Sequence, residues 1–203
     1  SEREKIYKCF AKSLVEKGYA YPCFCSEETL SELREKQEAA KQLPGYYGEY
    51  ALCRNLSYEQ IEENIKAGKP YVLRLKSPGD ESRRISFKDG IRGKIEMPEN
   101  DEDFVLLKSD GIPTYHFAHA VDDHLMGTTH VIRGEEWLPS LPKHIQLFRY
   151  LGFRLPKYMH IAQIMRLDEN GNKKKLSKRD MGANMDEYTQ MGYCPEAVCE
   201  YVM

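Results

Sequence analysis

His130-Val131-Ile132-Arg133, then Pro142-Lys143-His144-Ile145-Gln146-Leu147-Phe148-Arg149-Tyr150-Leu151, then Met159-His160-Ile161-Ala162-Gln163-Ile164-Met165 form the stretch whose reading decides the fold. The first and last are short apolar runs of strand type, and the middle one places its apolar residues at helical spacing. Two strands joined through a helix need a right-handed crossover, so they lie parallel in one sheet. Working outward, Phe104–Leu107 reads as a further buried strand and Tyr115–Met126 as a helix. From residue 104 the chain is therefore expected to form α/β structure, the second half of a doubly wound, Rossmann-like parallel-sheet domain.

The first hundred residues read differently. Ile6, Phe10 and Leu14, with Tyr7, Ala11 and Val15, mark an amphipathic helix over residues 1–17 that Gly18 stops. A turn at Tyr21-Pro22 leads to Cys23-Phe24-Cys25, and a charged helix follows from about Glu27 to Gln42, little of which can be buried. Ser57 and Gln60 fit a capping box, with Leu56 and Ile61 as its hydrophobic staple, for a short helix ending at Gly68. Tyr71–Leu75 alternates as a strand, and Ile85–Phe87 with Ile91–Ile95 flank Lys88-Asp89-Gly90 as a hairpin. Together these make a small α+β insertion over residues 19–103, after the helix at 1–18, which is assigned to the Rossmann-like domain, and before the α/β part at 104–180.

Composition bounds the function. A chain of 203 residues with 41% apolar content can bury a real core, and a net charge of −2 leaves nucleic-acid binding to a local basic patch. Neither an eighteen-residue apolar run nor a secretory signal is visible, which points to a cytoplasmic protein without a membrane partner. The six cysteines are irregularly placed and read as reduced thiols. Cys23, Cys25 and Cys53 offer three soft ligands suited to tetrahedral zinc, or else they are three buried free thiols.

Two further groupings carry chemistry. Lys175-Leu176-Ser177-Lys178-Arg179 follows the polar run Asp168-Glu169-Asn170-Gly171-Asn172, which cannot pack a core and is expected to be exposed and mobile. Compact ammonium groups there suit a phosphate chain whose charge moves during reaction, the alternative being a solvated basic loop. Arg133 and Glu136 stand at the carboxyl edge of the expected sheet, where open α/β sheets bind ligands. An arginine there can grip a carboxylate with two hydrogen bonds, and a carboxylate nearby can meet an ammonium. The alternative is a surface ion pair. His116, His124, His130 and His144 show no repeated metal spacing and read as packing or surface residues.

Pro113-Thr114-Tyr115-His116-Phe117-Ala118-His119-Ala120, Val121-Asp122-Asp123-His124-Leu125-Met126-Gly127, His130-Val131-Ile132-Arg133-Gly134-Glu135-Glu136-Trp137 and Lys175-Leu176-Ser177-Lys178-Arg179 together resemble the second half of the catalytic domain of bacterial-type glutamyl-tRNA synthetases, which are class I aminoacyl-tRNA synthetases. The resemblance runs from the opening helix to Gly192-Tyr193-Cys194-Pro195-Glu196-Ala197-Val198. It implies ATP-dependent activation of L-glutamate with Mg²⁺, then transfer to the 3′ end of tRNA(Glu) by a monomeric cytoplasmic enzyme. Tyr115, His119, Arg133 and Glu136 would line the glutamate pocket, although the family often has Asn where His119 stands. Trp137 and the strand end at Ile164 would meet the adenosine of ATP, with Gln163 replacing a more usual apolar residue. Lys175, Ser177 and Lys178 would be the catalytic loop. Residues 19–103 would grip the tRNA acceptor end, and residues 181–203 would begin a helical stem-contact region. Related synthetases bind zinc through Cys-x-Cys, a later Tyr and a final Cys. Tyr46 and Tyr50, seven and three residues before Cys53, both depart from that family's spacing of four, and Tyr46 is taken as the candidate ligand. The family's His-Ile-Gly-His-type phosphate motif is not in this sequence, so the chain reads as part of a larger synthetase that alone would not aminoacylate. A paralogue that glutamylates a modified tRNA base, and a non-catalytic RNA-binding fragment, are the rival readings.

Overall fold

The structure is a computed structural model that describes residues 2–177, 180 and 182–202. Its first helix, α1 (Glu4–Glu16), buries Tyr7, Ala11 and Leu14 along one face and ends before Gly18, whose φ of 73° only glycine adopts cheaply. Strand β1 (Ala20–Cys23) leads into α2 (Glu27–Ala39), capped by the Ser26 hydroxyl and buried only at Leu33 and Gln37. Helix α3 (Tyr58–Lys66) starts with the expected capping box, the Ser57 and Gln60 side chains each taking the other's backbone N–H.

Strand β2 (Val72–Leu75) pairs antiparallel with β1. The hairpin strands β3 (Arg84–Asp89) and β4 (Gly93–Pro98) pair antiparallel from Arg84↔Pro98 to Asp89↔Gly93, so the turn is Gly90-Ile91-Arg92, later than the Lys88-Asp89-Gly90 expected. Asp89 moves the turn: its carboxylate accepts the N–H groups of Ile91 and Arg92, closing the loop around itself.

Strand β5 (Val105–Leu107) departs from the expected parallel sheet. It pairs antiparallel with β2, giving a three-stranded sheet in the order β1-β2-β5. No crossover helix separates it from the hairpin, so a direct return to β2 satisfies its backbone groups. Helix α4 (Tyr115–Leu125) follows, then strand β6 (His130–Gly134), a 3₁₀ helix over Glu135–Ser140, helix α5 (Leu141–Leu151) and strand β7 (Lys157–Ile161). The β6–α5–β7 unit is the expected parallel crossover, in register from His130↔Lys157 to Gly134↔Ile161. Met159–Met165 is not one strand. It ends at Ile161, and β8 (Met165–Leu167) starts a separate hairpin with β9 (Lys173–Lys175). Helices α6 (Met185–Gln190) and α7 (Pro195–Val202) complete the chain. Among the described residues no helix is long and apolar enough to cross a membrane.

The main core lies between α1, α4 and α5 and the β1-β2-β5 sheet. Leu14, Leu75, Leu106, Phe117, Ala120, Val121 and Leu147 are fully buried in it. A second cluster, of Leu141, Ile145 and Tyr158 against Ile85, Phe87 and Val131, seats the β3–β4 hairpin on α5 and β7. A third surrounds the cysteines. Buried Asp103 ties the sheet to that third cluster: it accepts from Tyr21 Oη at 2.6 Å and from the backbone N–H of Ser77 at 2.7 Å, and it pairs with Arg54. A carboxylate fully removed from water persists only when so many donors replace its hydration.

Candidate active site

Arg133 and His160 are register partners in the parallel pair β6–β7, so their side chains leave the same face of the sheet side by side. Arg133 Nε–H donates to His160 Nε2 at 3.0 Å, and one terminal nitrogen donates to His144 Nδ1 at 3.1 Å. The other reaches the Trp137 carbonyl at 3.4 Å. The guanidinium lies over the Tyr158 ring, 4.9 Å from its centroid. Among the described residues no carboxylate makes an ion pair with this half-buried cation, and burial pulls the Arg133 pKa below its ordinary value. The surface pair of Arg133 with Glu136, the alternative reading of the sequence, is therefore not formed.

An arginine can only donate, so each imidazole nitrogen facing it carries no proton. His144 is then protonated at Nε2, which lies 2.9 Å from His116 Nδ1 and donates to it. His160 is protonated at Nδ1 and donates to Asp89 Oδ2 at 2.6 Å. Burial holds His144 down at about 2 and His116 at about 4. Both histidines are packing residues, as read from the sequence, and in addition they form a hydrogen-bonded chain to Arg133. The two meet only because α4 and α5 pack together, and no interval in the sequence announces that.

His119, also depressed by burial, donates from Nδ1 to Asp123 at 2.8 Å, and its Nε2 lies 3.0 Å from the Tyr158 hydroxyl. Tyr115 stacks on the His119 ring, the two planes 7° apart, and also meets the Trp137 indole at 4.5 Å and the edges of the His116 and His144 rings. Tyr115 is half exposed. An aromatic wall thus stands beside Arg133, at the carboxyl end of the parallel strands.

Glu136 faces the other side. Its Oε1 accepts from Lys175 Nζ at 2.9 Å. That bond, with help from its own backbone N–H and from Gln163, holds its carboxyl at about 2. Gly134 makes the fold-back of Glu136 feasible, because a Cβ at 134 would stand 2.0 Å from Glu136 Oε2. Lys173, Lys174 and Lys175 are all exposed on β9, and the preceding turn is closed by the Asp168 carboxylate on the N–H groups of Asn170 and Asn172. Leu176 N–H donates to the carbonyl of exposed Ile164 at 3.0 Å, and Ser177 N–H to Asp180 at 2.7 Å. Lys178, expected beside Lys175 and Ser177, lies outside the described residues.

The cysteine cluster is separate. The sulfurs of Cys23, Cys25 and Cys53 lie within 4.8 Å of one another, Cys25 and Cys53 at 3.7 Å. Tyr46 Oη is 3.3 Å from the sulfurs of both Cys23 and Cys25 and accepts from the Cys53 N–H at 3.0 Å. Three sulfurs at these separations fit a tetrahedral zinc ion, whose ~2.3 Å bonds to sulfur set sulfurs roughly 3.8 Å apart, and the Tyr46 oxygen is the neighbouring donor that could take the fourth position.

Over residues 1–203 the chain matches the model of one protein family, the catalytic domain of class I tRNA synthetases (E and Q). It is similar to a protein named glutamate–tRNA ligase from Clostridium beijerinckii, with 54% identity over 100% of this chain and 37% of that protein. A glutamate–tRNA ligase of Sorangium cellulosum is 48% identical over 100% of this chain and 38% of its own length. Among solved structures, a glutamate tRNA ligase from Elizabethkingia meningosepticum in complex with its amino acid matches with a TM-score of 0.82 and 37% identity, over 98% of this chain and 43% of that one. The chain spans about 37% of the length of the curated relatives it matches.

The buried histidines give the site a pH signature. His144 and His116 are neutral when folded, with values of about 2 and about 4, whereas in the unfolded chain each titrates near ~6.5. Between those values the unfolded chain binds more protons, so their contribution to stability is complete above pH ~6.5 and is lost as pH falls towards the folded values. From pH 7 to pH 5 each should cost about 2 kcal/mol of unfolding free energy. Urea unfolding at the two pH values should show this drop, and His144→Gln should remove the His144 share, about 2 kcal/mol. A stability unchanged between pH 7 and pH 5 would contradict the neutral assignment.

Proposed function

The chain belongs to the catalytic-domain family of class I tRNA synthetases for glutamate and glutamine, and we propose on that premise that its protein activates L-glutamate with ATP and transfers it to tRNA(Glu). The observation that carries this reading is Arg133: a half-buried cation whose protein partners are neutral imidazoles, a carbonyl, the Tyr115 hydroxyl and aromatic faces. Such an arginine retains its appetite for an anion, and a carboxylate can satisfy it with paired charge-assisted bonds. The carboxylate it holds should be that of the substrate side chain, because the α-carboxylate must stay free to attack the α-phosphorus. Neutral glutamine would leave the cation unpaired, and leaving a buried polar group unpaired discriminates strongly between substrates.

The remaining roles follow from charge. Glu136 would exchange Lys175 for the substrate ammonium, which frees Lys175 for the phosphates. Lys175, Ser177 and Lys178 would then serve the transition state, the lysines by offsetting charge as pyrophosphate leaves, with Mg²⁺ assisting. Trp137 would pack against the adenosine and the backbone at Ile164 would meet the adenine. The aromatic wall of Tyr115 and His119 would close the glutamate side. Cys23, Cys25, Cys53 and Tyr46 would hold zinc, which would brace residues 19–103 for the tRNA acceptor end and take no part in the transfer itself. The reading places a monomeric enzyme in the cytoplasm.

In the full-length protein that carries this chain, Arg133→Ala should lower kcat/KM for L-glutamate by ~10²-fold or more. Pyrophosphate exchange with tRNA present measures this, and unchanged glutamate kinetics would overturn the assignment. Elemental analysis of protein washed with a weak chelator should find about one zinc per chain. Finding none, with Cys23, Cys25 and Cys53 all reactive to a thiol reagent in the folded protein, would favour free cysteines.

A further inference from the structure

We propose that Asp89, at the turn of the β3–β4 hairpin, and His160, on β7, are positioning residues that fix the plane of the Arg133 guanidinium through a buried carboxylate–imidazole–guanidinium chain. The inference rests on the reading of Arg133 as the carboxylate-binding residue and adds to it two residues that touch no substrate.

The side chains of both Asp89 and His160 are fully removed from solvent. One Asp89 oxygen, Oδ1, accepts three backbone N–H groups, those of Ile91 at 2.9 Å, Arg92 at 3.0 Å and His160 at 3.3 Å. Its other oxygen, Oδ2, receives the His160 Nδ1 proton. Burial alone would raise the Asp89 pKa, but these bonds outweigh it and hold the carboxyl at about 2. An ionised carboxylate can only accept, so Nδ1 of His160 carries the proton, and in the neutral ring that leaves Nε2 bare. A bare Nε2 is what Arg133 Nε–H requires at 3.0 Å.

The hairpin that carries Asp89 is itself fastened to the strand pair. Gly90 N–H donates to the Tyr158 carbonyl at 2.8 Å, Arg92 Nε–H reaches the His160 carbonyl at 3.3 Å, and Arg92 pairs with Glu135. Ile85 and Phe87 pack beside Tyr158. A structural explanation accounts for the Gly90, Arg92 and Ile85 contacts, since they seat the hairpin. It does not require that the one buried carboxylate at this seam point through an imidazole at the guanidinium.

Asp89→Asn separates the two explanations. Three backbone donors hold the acceptor oxygen of the new carboxamide where Oδ1 was, so its NH₂ group must face His160 Nδ1. That forces the proton to Nε2, donor against donor with Arg133, while the turn keeps its hydrogen bonds. In the full-length protein, Asp89→Asn should raise the glutamate KM about 10- to 100-fold, with the ATP KM within about twofold. In Asp89→Asn the His160 proton should therefore move from Nδ1 to Nε2, which imidazole ¹⁵N shifts of that variant would show. Imidazole ¹⁵N shifts of the unmutated protein should show His160 protonated at Nδ1 and bare at Nε2. The inference is overturned by an unchanged glutamate KM in Asp89→Asn, by glutamate and ATP KM rising together with a fallen melting temperature, by an Asp89→Asn imidazole still protonated at Nδ1, or by a wild-type proton on Nε2. Arg133→Lys is measured alongside. If it too leaves the glutamate KM unchanged, the carboxylate-binding reading has failed; if it alone raises that KM, only the positioning inference has failed.

Discussion

A half-buried guanidinium given only neutral partners is the constraint on which the rest of this structure depends. Arg133 is bonded to His160, His144 and a carbonyl, and it rests on the Tyr158 ring. None of these neutralises it. Burying a charge without its counterion is costly, and proteins accept that cost where a ligand supplies the counterion. The parallel register of β6 and β7 sets His160 beside Arg133, and α5, the crossover between those strands, brings in His144 from above. The hairpin returns over the same seam with Asp89. Four separately folded pieces thus agree on the orientation of one side chain.

The opposite edge of the site solves the reverse problem. Lys175 and Glu136 are exposed and paired, so neither carries an uncompensated charge, and water weakens their attraction enough for exchange to be cheap. Arg133 is fixed in advance by buried hydrogen bonds, whereas Lys175 is held by one solvent-screened pair. That division suits a reaction in which the amino acid must be selected before the phosphates move, since selection needs rigidity and charge transfer needs reach.

Much of this could be read from the sequence wherever the physics is local. The Ser57–Gln60 capping box, the α5 periodicity ended by Gly152, and the β6–α5–β7 crossover all depend on residues a few positions apart. The pairing of β5 with β2 was not legible, because its three residues carry no mark of the strand they will meet. Strand β9 was missed for a simpler reason: Lys173-Lys174-Lys175 has no apolar alternation, and its pairing with β8 comes from the Asp168 turn. In the site, Arg133, Glu136 and Tyr115 stood out through their place at a strand end and through family resemblance. His116, His144 and Asp89 did not, because their roles come from contacts between distant elements. One signal was available for Asp89, since an aspartate before a glycine often closes a turn with its own carboxylate.

The central claim is that Arg133 awaits a carboxylate. A crystal structure of the full-length protein with L-glutamate tests it directly. The account predicts the side-chain carboxylate of the amino acid on the Arg133 guanidinium, with N···O distances of about 2.7–2.9 Å, while the bonds to His160 and His144 remain. Glutamate bound elsewhere, with Arg133 still facing only its two histidines, the Trp137 carbonyl and the Tyr115 hydroxyl, would contradict it.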